Sequence, residues 1–332
     1  MKWHPFELHT HTPHSDGTHT LLEMCSKAKE LGLSGIALTD HNTVSGLVDA
    51  EEVTRETGVA VIPGMEWTTF YGHMLTLGAP YCEWRDLGPA DIGRGIERVH
   101  QQGGIVGIAH PYSMGSPICT GCHWEYEMTD WNQIDYIEVW HETLPSLRNH
   151  NAPAFRLWTD LLNQGFRIAA TAGRDWHRSD NDKSLAAYTY LGIEDSEPLE
   201  ACSVVDAISR GRLCISMGAL LLFKIQSDQR EYGIGEVIER TNEERKRALT
   251  FNVSFQQSSI PERQWSAAEA HSVIIESNLC ELARGSLAGG NFQFSETIGA
   301  DNLLWVRARL YGLQDGVLTT LAFTNPIYFA NR

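Results

Sequence analysis

No apolar run in the sequence approaches the ~20 residues that a helix needs to cross a bilayer, so a helical membrane protein is not expected. The opening Met1-Lys2-Trp3-His4-Pro5 leads straight into a strand-like segment and lacks the apolar stretch and small-residue cleavage site of a secretory leader. Basic residues are scarce: 26 Lys and Arg stand against 42 Asp and Glu, a formal net charge of −16. A field of that sign repels polyanions and argues against long nucleic acid or an anionic membrane as partner. A small phosphorylated ligand remains compatible where metal ions invert the local potential. The seven cysteines are scattered and odd in number, which suits a reducing cytoplasm better than a disulfide framework. Repeats, low-complexity tracts and a Pro/Ser/Gly-rich linker are absent, and Gly233-Ile234-Gly235 lacks the remaining glycine and helix of a nucleotide fingerprint.

What is present is a chain of 332 residues, 42% hydrophobic and 20% charged, enough for a sizeable core in one large or two moderate domains. Histidine is unevenly spread: of 14, all but His271 lie at or before His177. Residues 1–220 hold 29 acidic and 15 basic side chains, net −14; residues 221–332 hold 13 and 11, net −2. The chemistry of His, Asp and Glu is therefore expected in the first part.

That part alternates strand and helix patterns. Strands are expected at Phe6–His11, Gly35–His41, Val59–Glu66, His73–Leu77, Ile105–His110, Tyr136–His141, Ile168–Asp175 and Leu213–Ser216. Helices are expected at Leu21–Leu31, Val44–Thr57, Ile92–Gln102, Ala154–Asn163 and Leu199–Ser209. The alternation indicates a parallel α/β fold. Nearly every strand ends on a chemically capable residue (His9 and His11, His41, Glu66, His110, His141, Asp175), which favours a barrel, whose strand ends converge on one site. After about residue 217, strand-like Thr250–Phe255, Ser272–Glu276, Leu303–Leu310 and Thr319–Tyr328 indicate a small antiparallel β domain, sandwich-like, packed rigidly on the first. The expected division is 1–218 and 219–332.

His9-Thr10-His11 places two imidazoles on one face of a strand, and Asp16 follows in the next turn. Thr39-Asp40-His41-Asn42, Gly64-Met65-Glu66, Gly72-His73, Ala109-His110-Pro111 and Gly173-Arg174-Asp175-Trp176-His177 fall at or beside other strand ends. Such a crowd of His, Asp and Glu needs cations, and its mixed nitrogen and oxygen donors suit Zn²⁺, Mn²⁺ or Fe²⁺ rather than Ca²⁺.

These motifs, in this order over about residues 1–220, resemble the PHP superfamily, named for polymerase and histidinol phosphatase. The C-terminal Thr324-Asn325-Pro326-Ile327-Tyr328 further resembles its two-domain branch of carbaryl-hydrolase-like metallohydrolases. The resemblance implies a distorted (β/α)7 barrel with two or three divalent ions. It implies a first ion on His9, His11, Glu66 and Asp175, and a second on Asp16, His41 and His177. A third would lie on His73 and His110 with Glu66 bridging. Two departures stand out. His141 follows Trp140 where the family often has Asn, and reads as a substrate contact, a proton donor or a packed histidine. Arg174 replaces a small residue and reads as a bidentate phosphate or carboxylate clamp or as the partner of a ligand carboxylate. His14 and His19 read as loop residues, with substrate contact the alternative.

Cys119-Thr120-Gly121-Cys122-His123 matches a c-type haem attachment pattern. Without a leader it reads instead as part of a long loop, Tyr112–Thr129, over the barrel mouth; a redox pair or accessory zinc site is the alternative. Trp124 and Tyr126 there either shape a pocket or form the loop's own core. The expected activity is hydrolysis of a phosphate mono- or diester of a small organic molecule by a metal-bridging hydroxide. The same centre acting on a carbamate, carboxylic ester or amide is the alternative. A 3′-exonuclease is disfavoured by the acidic charge, and a non-catalytic binding protein by the full donor set.

Overall fold

In the computed structural model, which describes every residue outside 115–122, 179–184, 228–229, 242, 259–262, 266–270, 288–292 and 332, the chain begins with a long strand. The first part comprises β1 (Lys2–Thr10), α1 (Leu21–Glu30), β2 (Gly35–Leu38), α2 (Ala50–Thr57), β3 (Ala60–Thr69), β4 (Gly72–Leu77), α3 (Ile92–His100) and β5 (Ile105–Ile108). It continues with β6 (Tyr136–His141), α4 (Asn151–Asn163), β7 (Ala169–Gly173), β8 (Tyr188–Ile193), α5 (Ala201–Ser209) and β9 (Leu213–Ser216). Local chemistry sets the helix ends. Thr20 and Glu23 cap each other's backbone at the start of α1, and Gly58, in the left-handed region, closes α2. The helix expected over Val44–Thr57 divides into a 3₁₀ turn at Ser45–Asp49 followed by α2.

The strands lie in the order β9-β8-β1-β2-β3-β4-β5-β6-β7. The expectation of a parallel sheet holds for β1/β2, β2/β3, β5/β6 and β6/β7. It fails at β3/β4, β4/β5, β1/β8 and β8/β9, which are antiparallel. For β3 and β4 the reason is plain: only Phe70 and Tyr71 separate them, and a parallel crossover needs a dozen or more residues. β8 has no counterpart among the expected strands.

The barrel closes in two ways. At the mouth, His11 N–H donates to the Trp176 carbonyl (3.0 Å) and Trp176 N–H to the His9 carbonyl (2.9 Å). Lower down, the free edge of β7 is satisfied by side chains instead of a strand. Thr189 Oγ1 accepts from Ala172 N (2.9 Å) and donates to Ala172 O (3.1 Å). Asn325, fully buried, accepts from Ala170 N (2.8 Å) and donates to Ala170 O (2.9 Å).

The remaining strands are β10 (Leu220–Gln226), β11 (Glu231–Gly233), β12 (Val237–Arg240), β13 (Ala248–Gln256), β14 (His271–Ser277), β15 (Glu281–Leu287), β16 (Gln293–Gly299), β17 (Trp305–Gln314), β18 (Val317–Thr324) and β19 (Ile327–Asn331). β11-β10-β13-β16 form a separate sheet, whose Phe223, Phe251 and Val253 share a core with Val273, Val306 and Leu310 of β14 and β17. This is a sandwich whose second sheet is continuous with the barrel, because β18 pairs with β9. The single strand expected at Thr319–Tyr328 is two, interrupted by Asn325, whose side chain is turned to β7, and by Pro326, which has no N–H to pair. Across the junction, buried Arg307 bonds Glu276 (2.8 Å) and Thr159 of α4 (2.9 Å) and stacks on Phe155, Trp158 and Trp305. Among the described residues no helix is long and apolar enough to cross a membrane.

Replacing Asn325 with Ala leaves the Ala170 N–H and C=O buried without partners. A destabilisation of about 2–4 kcal/mol is expected from urea unfolding.

Candidate metal centre

The interior of the barrel mouth is polar. Glu7, His9 and His11 lie on one face of β1 and its continuation, Glu66 on β3 and Glu138 on β6, all essentially without solvent exposure. The β3–β4 hairpin puts His73 beside Glu66: Thr68 pairs with His73 and Glu66 with Leu75, so Glu66 and His73 share a face. Asn42 fixes the next donor. It sits in the left-handed region, accepts from Thr68 N (3.0 Å) and donates to Thr68 O (3.1 Å), clipping His41 against Glu66. Asp40 accepts from Thr12 N and Oγ1 (both 2.7 Å) and from Ser15 Oγ (2.6 Å), which folds the turn carrying Asp16 back over the mouth.

Glu66 is the centre. Its Oε2 lies 3.2 Å from His9 Nε2, 3.4 Å from His11 Nε2 and 2.9 Å from His41 Nδ1; its Oε1 lies 2.7 Å from His73 Nδ1 and 3.3 Å from His110 Nε2. Asp175 Oδ1 lies 3.2 Å from His9 Nε2 and 2.8 Å from His11 Nε2. Asp16, 59% exposed, lies 3.4 Å from His41 Nε2 and 3.0 Å from His177 Nε2. The nine residues expected from the sequence thus fall into three groups, each with donor atoms within 4.8 Å of one another. These are His9, His11, Glu66 and Asp175; His11, Asp16, His41 and His177; and Glu66, His73 and His110. His11 belongs to two of them.

Two observations test whether cations fit. First, His9 Nε2, both nitrogens of His11, Glu66 Oε2 and Asp175 Oδ1 are buried yet make no well-formed hydrogen bond, although the Nε2 atoms of His9 and His11 each lie 2.8–3.4 Å from Glu66 Oε2 and Asp175 Oδ1. Converging lone pairs without shared protons are what a metal ion requires. Second, the outer nitrogens are held. His9 Nδ1 donates to Glu138 Oε2 (2.8 Å) and His177 Nδ1 to the Asp175 carbonyl (2.8 Å), leaving each Nε2 lone pair turned to the cluster. The electrostatics agree. Burial opposes charge on Glu66, but His9 and the close imidazoles of His110, His41 and His73 hold its carboxyl well below the usual range. Burial likewise opposes charge on His9, and Asp175, Glu138 and Glu66 still raise it well above an ordinary imidazole, so the cluster attracts positive charge.

Sequence reasoning missed Glu138 and Glu7. Burial pushes Glu138 up, but His9 and hydrogen bonds from His141 and His9 bring it down to about 2. Glu7 accepts from His9 N and Arg174 N and is pushed up to about 7 by burial. The available signal was a charged residue inside an otherwise apolar strand, as in Tyr136-Ile137-Glu138-Val139. Gly173 is required beside them, since a Cβ there would stand 2.5 Å from Glu138 Oε2 and 2.6 Å from His9 Cβ. His110 (φ 27°) and Asp175 (φ 53°) hold left-handed backbone, a strain on the order of 1–3 kcal/mol each that is concentrated at the mouth.

A cavity of about 240 Å³ opens over the cluster, with His41, His73, His110, Asp175 and His177 in its floor and Met114, His123 and Trp124 at its rim. Trp124 therefore shapes the cavity, whereas Tyr126 is buried against Trp124, Tyr71 and the Thr69 hydroxyl. His141 lines the cavity. Arg174 is not among the residues lining the cavity: its guanidinium stacks 4.6 Å over Trp176 rather than standing as the expected clamp. His14 bonds Ser45 and His19 packs edge-on against Trp176. Cys119 and Cys122 lie outside the described residues. Larger clefts, about 610 and 510 Å³, lie at other surfaces and hold no comparable set of donors among the described residues.

A family model described as PHP domain matches residues 7–101. An uncharacterised protein of Methanocaldococcus jannaschii is 32% identical over 124 residues, covering 34% of this chain and 69% of that protein. A phosphoribosyl 1,2-cyclic phosphate 1,2-diphosphodiesterase of Eggerthella lenta is 34% identical over 100 residues, 28% of this chain. The chain spans only 37% of that enzyme's length. A solved two-domain protein of Bacteroides vulgatus, described as containing a predicted PHP-like metal-dependent phosphoesterase, superposes over 98% of this chain and 95% of its own. Its TM-score is 0.55 at 14% identity, a likeness of fold.

Glu138→Gln keeps the volume but cannot accept from two imidazoles as a carboxylate does. A roughly 10–100-fold loss of divalent-ion affinity is expected, measured by competition with a fluorescent chelator.

Proposed function

The chain belongs to the PHP-domain family, and from that premise we propose that it hydrolyses phosphate mono- or diesters of small organic molecules with the aid of divalent ions. The observation that carries this reading is the set of buried, unshared lone pairs on His9, His11, Glu66 and Asp175. These four would hold one ion, Asp16, His41 and His177 a second, and His73 and His110 a third shared with Glu66. Mixed imidazole and carboxylate donors suit Zn²⁺, Mn²⁺ or Fe²⁺. When bound, such ions supply an acidified water and polarise phosphoryl oxygens.

The chain's own residues do the rest. Glu138 and the Asp175 carbonyl fix the imidazole tautomers through His9 and His177, so the donors need little reorganisation when ions and substrate arrive. Glu66 and Asp175 carry the negative charge that makes an otherwise desolvated pocket attractive to cations. The cavity, about 240 Å³, suits a compact phosphate rather than a polymer, in keeping with the net charge of −16. Trp124 and Met114 at the rim give apolar contact to the organic part. We take residues 1–218 as the metallohydrolase unit and 219–332 as the β unit that braces it.

The test is nitrophenol release by Mn²⁺- or Zn²⁺-loaded protein from matched phosphate monoester, phosphate diester and carboxylic ester. Chelator-sensitive turnover of a phosphate is expected, with Asp175→Ala and His41→Ala losing bound metal and at least about 100-fold in rate, as loss of a direct donor should exceed loss of its support. Turnover of the carboxylic ester alone would replace this reading with a carbamate, ester or amide hydrolase. Undiminished phosphate turnover in either variant would refute the assigned centre.

A further inference from the structure

The loop that follows β6 gathers donors outside the three groups already assigned. His141 ends the strand, Glu142 follows in the left-handed region (φ 66°), and His150 stands at the N-cap of α4. One donor atom from each of these three residues lies within 4.8 Å of the others. The His141 and His150 ring centroids are 5.4 Å apart, and Glu142 Oε1 is 3.8 Å from His141 Nε2.

Three features point to a ligand. Glu138 Oε1 accepts the His141 Nδ1–H (3.0 Å), leaving the Nε2 lone pair free to coordinate; the same carboxylate orients His9 in the same way. His150 Nε2 is shielded from solvent and has no hydrogen-bond partner, and its side chain makes no capping bond to α4, so the helix does not account for it. Arg148 Nε holds Glu142 Oε2 at 3.1 Å, which steadies the carboxylate while its other oxygen faces His141.

We propose that His141, Glu142 and His150 form a separate site for one divalent transition-metal ion at the wall of the cavity. Two imidazoles and a carboxylate form a donor set for Zn²⁺, Mn²⁺ or Fe²⁺, and are too nitrogen-rich and too few for Ca²⁺. Three protein donors leave the ion open to a further ligand. His141 and Glu142 line the cavity, so that ligand would be an anionic group of the molecule bound there. His141 also lies within reach of His110 and Asp175, and dependence on His150 separates the two arrangements. The site goes beyond the phosphoesterase reading and does not rest on turnover.

The experiment is metal content per chain, by plasma mass spectrometry after Zn²⁺ or Mn²⁺ loading and desalting, for wild type, His150→Ala and Glu142→Gln. Circular dichroism verifies folding. Wild type is expected to hold one ion more than His150→Ala, and Glu142→Gln to bind that ion at least ~10-fold more weakly. If His150→Ala does not fold, His150→Cys loaded with Co²⁺ decides: a thiolate-to-cobalt absorption band supports the site and its absence overturns it. Equal metal content in wild type and folded His150→Ala overturns the site alone, leaving the Glu66 centre standing. A wild type that holds no ion overturns both.

Discussion

The burial of the Glu66 carboxylate constrains everything around it. A charge removed from water costs several kcal/mol unless cationic or hydrogen-bonding groups surround it, and here five imidazoles do so from β1, its continuation, β2's end, the β3–β4 hairpin and β5's end. To bring five rings to two oxygens, the backbone accepts left-handed conformations at Asn42, His110 and Asp175, and the sheet turns back on itself in the antiparallel β3–β4 hairpin. Each would be a cost in isolation. Together they are offset by the interactions of one buried group.

Much of this was legible because donor residues sit where strands end. His9 and His11 share a face by strand alternation alone, and Glu66, His110 and Asp175 each follow an apolar run that predicts where the side chain emerges. The parts that were not legible depend on direction and distant partners. Glu138 and Glu7 sit inside apolar strands, and nothing local says that their carboxylates face inward toward histidines and backbone amides. Arg174 precedes a donor, yet its guanidinium is drawn to the Trp176 ring, a preference that only the folded turn reveals. Similarly, the antiparallel β4 follows from a two-residue connection, whereas the antiparallel pairing of β8 with β1 depends on a partner far away in sequence.

The β region is more than an appendage. Arg307 inserts a guanidinium among Phe155, Trp158 and Trp305, where burial brings its pKa down to about 10 despite the Glu276 carboxylate. It thereby clamps α4, whose first residue, Asn151, accepts from His141 N (3.1 Å) and donates to His141 O (2.9 Å). A continuous path of buried contacts therefore runs from the sandwich to the wall of the cavity.

The side-chain cap on β7 also has a meaning in time. Ala170 is made 155 residues before the Asn325 that satisfies it, and Asp175 lies two residues beyond the end of that same strand. A chain growing on the ribosome therefore carries an unfinished sheet edge beneath its donor cluster until the β region has emerged. The cluster is among the last features to acquire its native frame, although all of its histidines are translated well before Asn325.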